Sequence, residues 1–228
     1  MPVYALDVSP GFPDPRFPDE EGLLAVGGDL GVPRLLNAYR LGVFPWYSEG
    51  SPILWWSPPE RALLLPGDER LSRSTRRALA RRPFEIRRDT CFAAVVAGCA
   101  RVPRPGQEGT WITRDIQEAY LALHEAGYAH SIEAFRDGTL AGGLYGVSLG
   151  AAFFGESMFS LESYASRAAF DHLCRLAWGW GFQLIDGQVP NPNLLDLGAR
   201  VEDRDVFLRR LAKALGAPTR RGPWTDLL

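Results

Sequence analysis

We interpret the chain as organised around residues 150–159, GAAFFGESMF. Residues 151–154 predict an apolar strand that ends at Gly155. A single carboxylate, Glu156, follows this strand. An ionised group beside so much hydrocarbon is costly unless it is paired or kept near water. The stretch is therefore a candidate pocket wall. A strand end with a solvated glutamate fits the same residues, and a lone acid is a weak indicator of a site.

The totals describe an ordinary globular chain of 228 residues, 46% hydrophobic and 23% charged, with a net charge of −2. That length suits one large domain, or one ordinary domain and a small one. No apolar run is long enough to span a bilayer, and the Pro- and Asp-rich start does not resemble a signal peptide. The scattered Cys91, Cys99 and Cys174 indicate a reducing compartment rather than a disulfide framework. We therefore expect a cytoplasmic protein. We also expect no metal site, because neither the cysteines nor the three histidines have metal-ligand spacing.

Residues 1–60 differ from the rest, and we predict that they form a small N-terminal domain, with residues 61–228 as the second domain. The first part carries eight acids against three bases, and Pro and Gly interrupt it throughout. Only residues 33–41 predict a helix there, with Pro33 in the first turn and Gly42 after the end. The aromatic residues between 44 and 56 fit either a small stapled core or a cleft where a ring stacks on a base.

The second domain predicts an α+β fold, in which helices flank a mostly antiparallel sheet. A hairpin is expected over 129–149 with its turn at Asp137-Gly138, and residues 191–198 are expected to form a loop. The other strands are predicted at 61–65, 84–88, 151–154 and 182–186. The helices are predicted at 72–82, around 92–99, at 113–125, 163–180 and 203–215, the first three capped by Ser72, by Asp89 or Thr90, and by Thr113. This order resembles the acyltransferase fold of the N-acetyltransferase class, which does not fix the reaction.

A cluster of arginines occupies residues 70–88, which contain eight Arg and one acid, Glu85. Its charge is +7 in a chain whose total is −2. Such a field attracts a polyanion such as nucleic acid, although a charge run is also compatible with a simple solvated surface.

The last predicted strand ends in Ile185-Asp186-Gly187-Gln188. On an extended backbone Asp186 and Gln188 point to one side and Gly187 to the other. A carboxylate beside an amide is compatible with a polar site, and equally with a hydrogen-bonded pair that closes a loop.

Seven short motifs, taken together and in order, resemble the leucyl/phenylalanyl-tRNA–protein transferase family, bacterial enzymes of the N-degron pathway. They are GLLAVGGDL (22–30), GVFPW (42–46), WWSP (55–58), TWIT (110–113), AHSIE (129–133), GESMF (155–159) and IDGQ (185–188). The resemblance extends over about residues 12–207, nearly the whole chain.

The resemblance implies a function. Such enzymes move Leu or Phe, and in some cases Met, from aminoacyl-tRNA to the α-amino group of proteins that begin with Arg or Lys, which marks those proteins for degradation. It also implies a small N-terminal domain, an acetyltransferase-like C-terminal domain, and no metal or cofactor. Separately, we expect a monomer that does not associate with membranes.

Site residues follow from the same resemblance. Six apolar residues would line a pocket for the aminoacyl side chain: Leu144, Phe153, Met158, Phe170, Leu173 and Ile185. Four aromatic residues would surround the terminal adenosine and the acceptor: Tyr39, Trp46, Trp111 and Tyr120. The polar centre would be Glu156, Asp186 and Gln188. The basic patch for the tRNA acceptor stem would be Arg76, Arg77, Arg81 and Arg82.

The polar centre also receives roles from the resemblance. Gln188 would orient the attacking amine through its carbonyl oxygen, since a neutral amide is too weak to act as a base. Asp186 would hold Gln188 and stabilise positive charge, and Glu156 would pair with the cationic N-terminus of the acceptor. We expect the pocket to open beside Asp186. Ile185 fits less well, because alternation turns it away from Asp186.

The sequence departs from the family pattern at several positions. Gly187 stands where Cys is common, and we expect its side of the strand to face away from the site. Residues 193–198 lack a His that the family often has there. Leu144 and Ala177 replace bulkier residues expected in the pocket, which leaves the balance among Leu, Phe and Met donors open. Arg167 replaces a Lys and keeps the charge.

Two other function classes compete with this interpretation. An acetyl-CoA-dependent N-acetyltransferase would share the fold, but such enzymes usually hold pyrophosphate on a Gly-rich turn before the long helix, and residues 160–167 contain no Gly. A non-catalytic RNA-binding protein would explain the arginines but not the apolar pocket or the Asp-Gln pair.

Overall fold

A computed structural model describes residues 3–102 and 110–226. The N-terminal part contains a four-stranded sheet that the sequence did not predict. Its strands are β1 (Tyr4–Leu6), β2 (Leu23–Gly27), β3 (Phe44–Pro45) and β4 (Leu54–Trp56), in the order β1-β2-β4-β3. The strands are too short to show an alternating pattern. The one predicted helix is present as α1 (Val32–Arg40).

The remainder is a seven-stranded sheet with helices packed against it, which confirms the α+β prediction. Its strands are β5 (Glu60–Leu64), β6 (Glu85–Arg88), β7 (Ala129–Arg136), β8 (Thr139–Leu149), β9 (Ala152–Ser160), β10 (Leu184–Asp186) and β11 (Arg200–Asp203). They lie in the order β11-β5-β10-β9-β8-β7-β6, and only β9 and β10 pair in parallel. The helices are α2 (Arg73–Arg81), α3 (Phe92–Arg101), α4 (Arg114–Glu125), α5 (Ala165–Gly179), α6 (Pro192–Asp196) and α7 (Arg204–Leu215).

Local sequence signals are confirmed where one side chain or one turn decides the structure. The Ser72 hydroxyl accepts the Thr75 N–H at 3.1 Å, and the Thr113 hydroxyl accepts the Ile116 N–H at 3.3 Å. Both residues therefore cap their helices as expected. The hairpin between β7 and β8 turns at Asp137-Gly138, where both residues have positive φ, as a type I′ turn requires.

Two local predictions are wrong. Neither Asp89 nor Thr90 caps α3, which begins after Cys91 without a side-chain cap. Both side chains instead form hydrogen bonds with residues of β7, and Asp89 also accepts the backbone N–H of Trp224. Residues 191–198 are not entirely a loop, since they contain α6. The Asn191 side chain caps this short helix by accepting the Leu194 N–H at 3.0 Å.

The organising strand also differs from the prediction, because β9 does not end at Gly155 but continues to Ser160. Tyr145 of β8 pairs with Ser157, and Gly146 pairs with Gly155, so Glu156 is an extra residue without a partner in the ladder. This is a β-bulge, which bends a strand and redirects a side chain, commonly beside an active site. The strand break inferred from the sequence is in fact this bulge.

The large sheet separates two apolar cores, and adjacent residues of β9 enter different ones. Phe154 packs in a cluster with residues of α1, α3, α4 and α7, and this cluster also contains Leu24 and Trp55 of the small sheet. Phe153 packs in a second cluster beneath α5. Alternation along a strand sends neighbours to opposite faces. No helix within residues 3–102 and 110–226 is long and apolar enough to cross a membrane.

Candidate active site

An apolar pocket of about 670 Å³ opens against the bulge of β9. All six residues expected to form such a hollow line it: Leu144, Phe153, Met158, Phe170, Leu173 and Ile185. They come from β8, β9, α5 and β10, so only the packing of α5 on the sheet brings them together. Leu64 and residues 191–194 complete the wall. The lining is predominantly hydrocarbon, which suits an aliphatic or aromatic side chain.

A second hollow, the aromatic cleft, has a volume of about 250 Å³ and lies next to the apolar pocket. Its lining residues are Phe44, Pro45, Trp46, Trp111, Glu156, Gly187, Gln188, Val189 and Asn191. Glu156, Gly187 and Asn191 line both hollows and form their common wall. The four aromatic residues expected around the terminal adenosine are therefore not together. Trp46 and Trp111 line the cleft, whereas Tyr39 and Tyr120 line neither hollow and are fully buried.

Tyr39 and Tyr120 instead hold the Glu156 carboxyl group from behind. The Tyr39 hydroxyl donates to Oε1 at 2.7 Å, and the Tyr120 hydroxyl donates to Oε2 at 2.8 Å. The Gln188 side-chain Nε2 donates to Oε1 at 2.8 Å. Burial raises the pKa of Glu156 to about 7, and the nearby Asp186 charge also raises this pKa, while the three hydrogen bonds partly offset both effects.

The two tyrosine hydroxyls also contact each other, which makes a closed ring of three oxygen contacts with the Glu156 carboxyl group. Two hydroxyl protons can fill only two of these three contacts. In the acid form the Glu156 carboxyl proton is donated to one tyrosine hydroxyl, which then donates to the other, and that second hydroxyl donates to the remaining carboxyl oxygen, so all three contacts are filled. Burial and the Glu156 charge raise the pKa values of both tyrosines well above their ordinary range, so the phenols keep their protons.

Asp186 lies elsewhere than the sequence indicated. Its carboxylate forms a buried ion pair with Arg61, with Oδ2 2.5 Å from Nη2, and it lines neither hollow. Its Oδ1 accepts the backbone N–H of Gln188 at 2.8 Å. Asp186 therefore holds Gln188 as expected, but through the backbone N–H, whereas Glu156 holds the Gln188 side chain. The expectation that the pocket opens beside Asp186 is wrong.

Backbone conformation explains the difference. In β10 the side facing the apolar pocket belongs to Ile185 and Gly187, so Asp186 faces the opposite side of the sheet. Gln188 does not continue this alternation, because its φ of 63° leaves the extended region and turns its side chain towards Glu156. The expectation that position 187 faces away is also wrong, since an added Cβ there would lie 2.8 Å from Leu194 Cδ1 in the pocket wall.

Comparison with known proteins identifies the family of the chain. A family model described as leucyl/phenylalanyl-tRNA protein transferase matches residues 63–212, and a model of that family's N-terminal domain matches residues 28–59. The chain belongs to this family. It is an aminoacyltransferase, as the names of its relatives state. The transferase of Myxococcus xanthus is 55% identical over 228 residues, which cover 99% of this chain and 97% of the relative. That of Desulfatibacillum aliphaticivorans is 52% identical over 225 residues, with coverages of 99% and 97%.

Solved structures add little. A protein of unknown function from Staphylococcus epidermidis aligns with a TM-score of 0.43 and 8% identity, over 79% of this chain and 68% of that one. This likeness is too distant to carry an argument about the transferase.

Asn193 and Leu194, at the start of the region where a histidine was expected from the resemblance, lie in the pocket wall. Asn193 Nδ2 is 3.7 Å from the Met158 sulfur, and Asn193 Oδ1 accepts a hydrogen bond from Arg167 at 3.2 Å. This asparagine therefore joins α6 to β9 and α5. Ala177, in contrast, is buried in the core and does not line the apolar pocket, so its small size does not enlarge that pocket.

The four arginines of the expected basic patch are exposed on α2 of the transferase and at its C-terminal end: Arg76, Arg77, Arg81 and Arg82. Arg82 contacts the exposed Asp137 at 3.4 Å, a pair that contributes little in water. The other three form no ion pair within the described part of the chain. Arg76 also lines a cavity of about 680 Å³ with Arg70, Arg73 and Arg167. These four arginines of the predicted cluster are therefore accessible, whereas Arg87 lies on β6 and pairs with Glu85 at 2.7 Å.

Proposed function

We propose that the protein transfers Leu or Phe from aminoacyl-tRNA to the α-amino group of proteins that begin with Arg or Lys, and so marks them for degradation. The observation that carries this proposal is the common wall of the two hollows. A pocket lined by hydrocarbon ends there at Glu156, which holds Gln188 in the adjoining aromatic cleft. When the apolar side chain of an aminoacyl group occupies this pocket, the ester carbonyl of that aminoacyl group lies beside Glu156 and Gln188.

The reaction needs positioning more than acid–base equipment. An aminoacyl ester is already activated, and an α-amino group has a pKa of about 7.7–8.0, so part of it is free amine near neutral pH. The amine nitrogen attacks the ester carbonyl carbon, the bond from that carbon to the ribose oxygen breaks, and the amine proton passes to the ribose oxygen. Holding amine and ester in contact supplies much of the rate.

Gln188 is the residue we assign to orienting the amine. Its Nε2 is committed to Glu156 Oε1, so its carbonyl oxygen is the acceptor atom that remains for an amine N–H. Glu156 acts by fixing this amide. Three donors already surround its carboxyl group, which argues against the direct ion pair with the acceptor inferred from sequence. Asp186 acts through the backbone of Gln188.

The tRNA would contact the aromatic cleft and the arginines of α2. In the aromatic cleft, Trp46 and Trp111 present rings on which the terminal adenosine of the tRNA can stack. The arginines of α2 would bind phosphates of the acceptor stem, a contact that weakens as salt rises. Tyr39 and Tyr120 support Glu156 rather than touch the nucleotide.

The proposal extends to the domains and the setting. We assign residues 1–60 to a small N-terminal domain and residues 61–228 to an acetyltransferase-like domain, based on the order of meander, long helix and parallel strand. Before α5, the chain turns at Tyr164 and lacks the Gly-rich turn of CoA-binding enzymes. We further propose a cytoplasmic monomer that needs no metal or cofactor.

One assay tests the proposal. The purified protein is incubated with Leu-, Phe- or Met-charged tRNA and with peptides that differ only in an N-terminal Arg, Lys or Ala. We expect transfer of Leu and Phe to the Arg and Lys peptides alone. Acetylation of the peptides by acetyl-CoA, or tRNA binding without transfer, would instead support one of the two competing classes.

A variant of Gln188 tests its assigned role. Asn keeps the amide and tolerates positive φ, but its shorter side chain does not reach Glu156. We expect Gln188→Asn to lower kcat at least tenfold while the thermal midpoint shifts little. A kcat near that of the unaltered enzyme would contradict the role.

A further inference from the structure

After α7 the chain runs back along the large sheet and contains a buried tryptophan, Trp224. The Gly150 N–H donates to the Thr219 hydroxyl at 2.8 Å, and the Gly222 N–H donates to the Gly127 carbonyl at 3.1 Å. Trp224 then lies in the core beneath α5 and is 1% exposed. This C-terminal segment, residues 217–226, lies outside the residues matched by the family models. These hydrogen bonds and the burial of Trp224 hold the segment against the large sheet.

A buried carboxylate holds the end of the segment. Asp89 Oδ2 accepts the Trp224 backbone N–H and a hydrogen bond from His130 Nδ1, each at 2.8 Å, and Oδ1 accepts the Ser131 N–H at 2.8 Å. The His130 ring stacks on the Trp224 indole, with centroids 4.0 Å apart and planes 8° apart. Several donors around one acid keep the pKa of Asp89 below its ordinary value despite its burial.

Trp224 does not line the apolar pocket, but it contacts a residue that does. Its ring centroid is 5.8 Å from that of Phe153, which is fully buried and forms part of the pocket wall. The Phe153 ring also lies against Gly146, where an added Cβ would meet ring carbons at 2.6 Å. The Phe153 ring therefore contacts both a backbone with no side chain and the indole of Trp224.

We propose that Trp224 is a positioning residue that fixes the Phe153 ring, and through it sets the depth of the apolar pocket and the discrimination between donor side chains. This inference rests on the proposed function of the pocket. If the indole is removed, the Phe153 ring gains space to move away from the pocket, which becomes deeper. A smaller donor then loses contacts with the wall, while a larger donor keeps them.

Transfer of Leu and Phe by Trp224 variants tests the proposal. The measured quantity is kcat/KM for each charged tRNA, expressed as the Phe/Leu ratio. We expect the ratio to rise about fivefold in Trp224→Ala and about twofold in Trp224→Phe, which is less than the roughly 10- to 200-fold effect of one methylene group in the pocket itself, because Trp224 acts through Phe153. A matched control is Trp178→Ala, which also removes an indole from this cluster. Within the described residues Trp178 has no ring contact with Phe153 or Trp224, so its ratio should stay unchanged.

The outcomes separate this inference from the proposed function. An unchanged ratio in folded Trp224→Ala would overturn it, and if that variant does not fold, an unchanged ratio in Trp224→Phe has the same meaning. An equal shift in Trp178→Ala would also overturn it, because loss of stability would then be the cause. Phe170→Ala, in the pocket wall itself, tests the pocket. If that variant leaves the ratio unchanged, the proposed function of the pocket fails. If only Phe170→Ala shifts it, the inference about Trp224 alone fails.

Discussion

Arg61 and Asp186 form an ion pair whose side chains are 2% and 0% exposed, and this pair joins β5 to β10 behind the active site. The guanidinium group lies 4.9 Å from the ring centroid of Phe44 and 4.3 Å from that of Phe207. Because Asp186 also accepts the backbone N–H of Gln188, the pair fixes the one residue that leaves the extended conformation at the end of β10. Asp186 is therefore a support for the site rather than a part of its surface.

Removal of one member of this pair should be more costly than removal of both. Asp186→Ala leaves the Arg61 charge buried without a partner, and we expect a loss of about 3–5 kcal/mol in the free energy of unfolding. The double variant Arg61→Met, Asp186→Leu should lose less, since no charge remains buried. Urea denaturation of the single and double variants measures the loss of unfolding free energy in each. If Asp186→Ala were as stable as the unaltered protein, the ion pair would not have the structural role assigned to it.

Glu156 should make stability fall as pH rises. Its pKa is raised from 4.5 to about 7 by burial, so the folded state binds the proton more tightly than the unfolded state. Stability is then lost between about pH 4.5 and 7, by about 3 kcal/mol in all, and no further loss from this group occurs above that window. In Glu156→Gln, an amide can take the place of the protonated carboxyl in the ring with Tyr39 and Tyr120.

Urea denaturation at pH 5 and pH 8 checks this prediction. Relative to the unaltered protein, Glu156→Gln should gain about 2–3 kcal/mol of unfolding free energy between the two pH values. Other titrating groups are common to both proteins and cancel in the difference. A difference that is independent of pH would show that Glu156 ionises with an ordinary pKa.

Gly187 lies in the common wall of the two hollows, so a side chain there should narrow the apolar pocket. In Gly187→Ala the new methyl group displaces Leu194, which lies 2.8 Å from its position. We expect kcat/KM to fall about threefold more for Phe than for Leu, with a stability change below about 1 kcal/mol because Leu194 can rotate. The control is Gly179→Ala, where an added Cβ meets nothing within 4 Å. Equal effects on both donors would argue against a place in the pocket wall.

The arginines of α2 should act on tRNA binding and not on the chemical step. We expect the double variant Arg77→Glu, Arg81→Glu to raise KM for charged tRNA at least tenfold at low salt, with a smaller effect on kcat, and to reduce the slope of log KM against log salt. The double variant Arg114→Glu, Arg209→Glu serves as the control, because both arginines are exposed outside α2 and the net charge changes by the same amount. If KM rises equally in the control, the effect is one of total charge rather than of α2.

Part of this protein could be predicted from local sequence alone. The caps at Ser72 and Thr113 and the turn at Asp137-Gly138 were predicted correctly, because each depends on hydrogen bonds or dihedral angles within four residues. The stripe of apolar residues in α3 and α4 likewise identified both helices. The small N-terminal sheet was missed, since its strands of two to five residues are formed by pairing with distant segments.

The residues of the candidate site were named from sequence, but their arrangement was not. Alternation along β10 placed Asp186 and Gln188 side by side, and this failed because the rule assumes an extended backbone that Gln188 leaves. The bulge at Glu156 and the partners Tyr39 and Tyr120 depend on how β8, α1 and α4 meet β9.

The sequence by itself therefore determined most elements of the second domain, the fold class and the family. It also identified the apolar residues that line one pocket. Only the tertiary structure decided which acid faces that pocket, which arginine neutralises Asp186, and why the C-terminal tryptophan lies behind Phe153. The physical reason is that hydrogen bonds within a turn are encoded by neighbouring residues. The ion pair of Arg61 and Asp186 joins residues 125 positions apart, and its geometry exists only once the strands between them have packed.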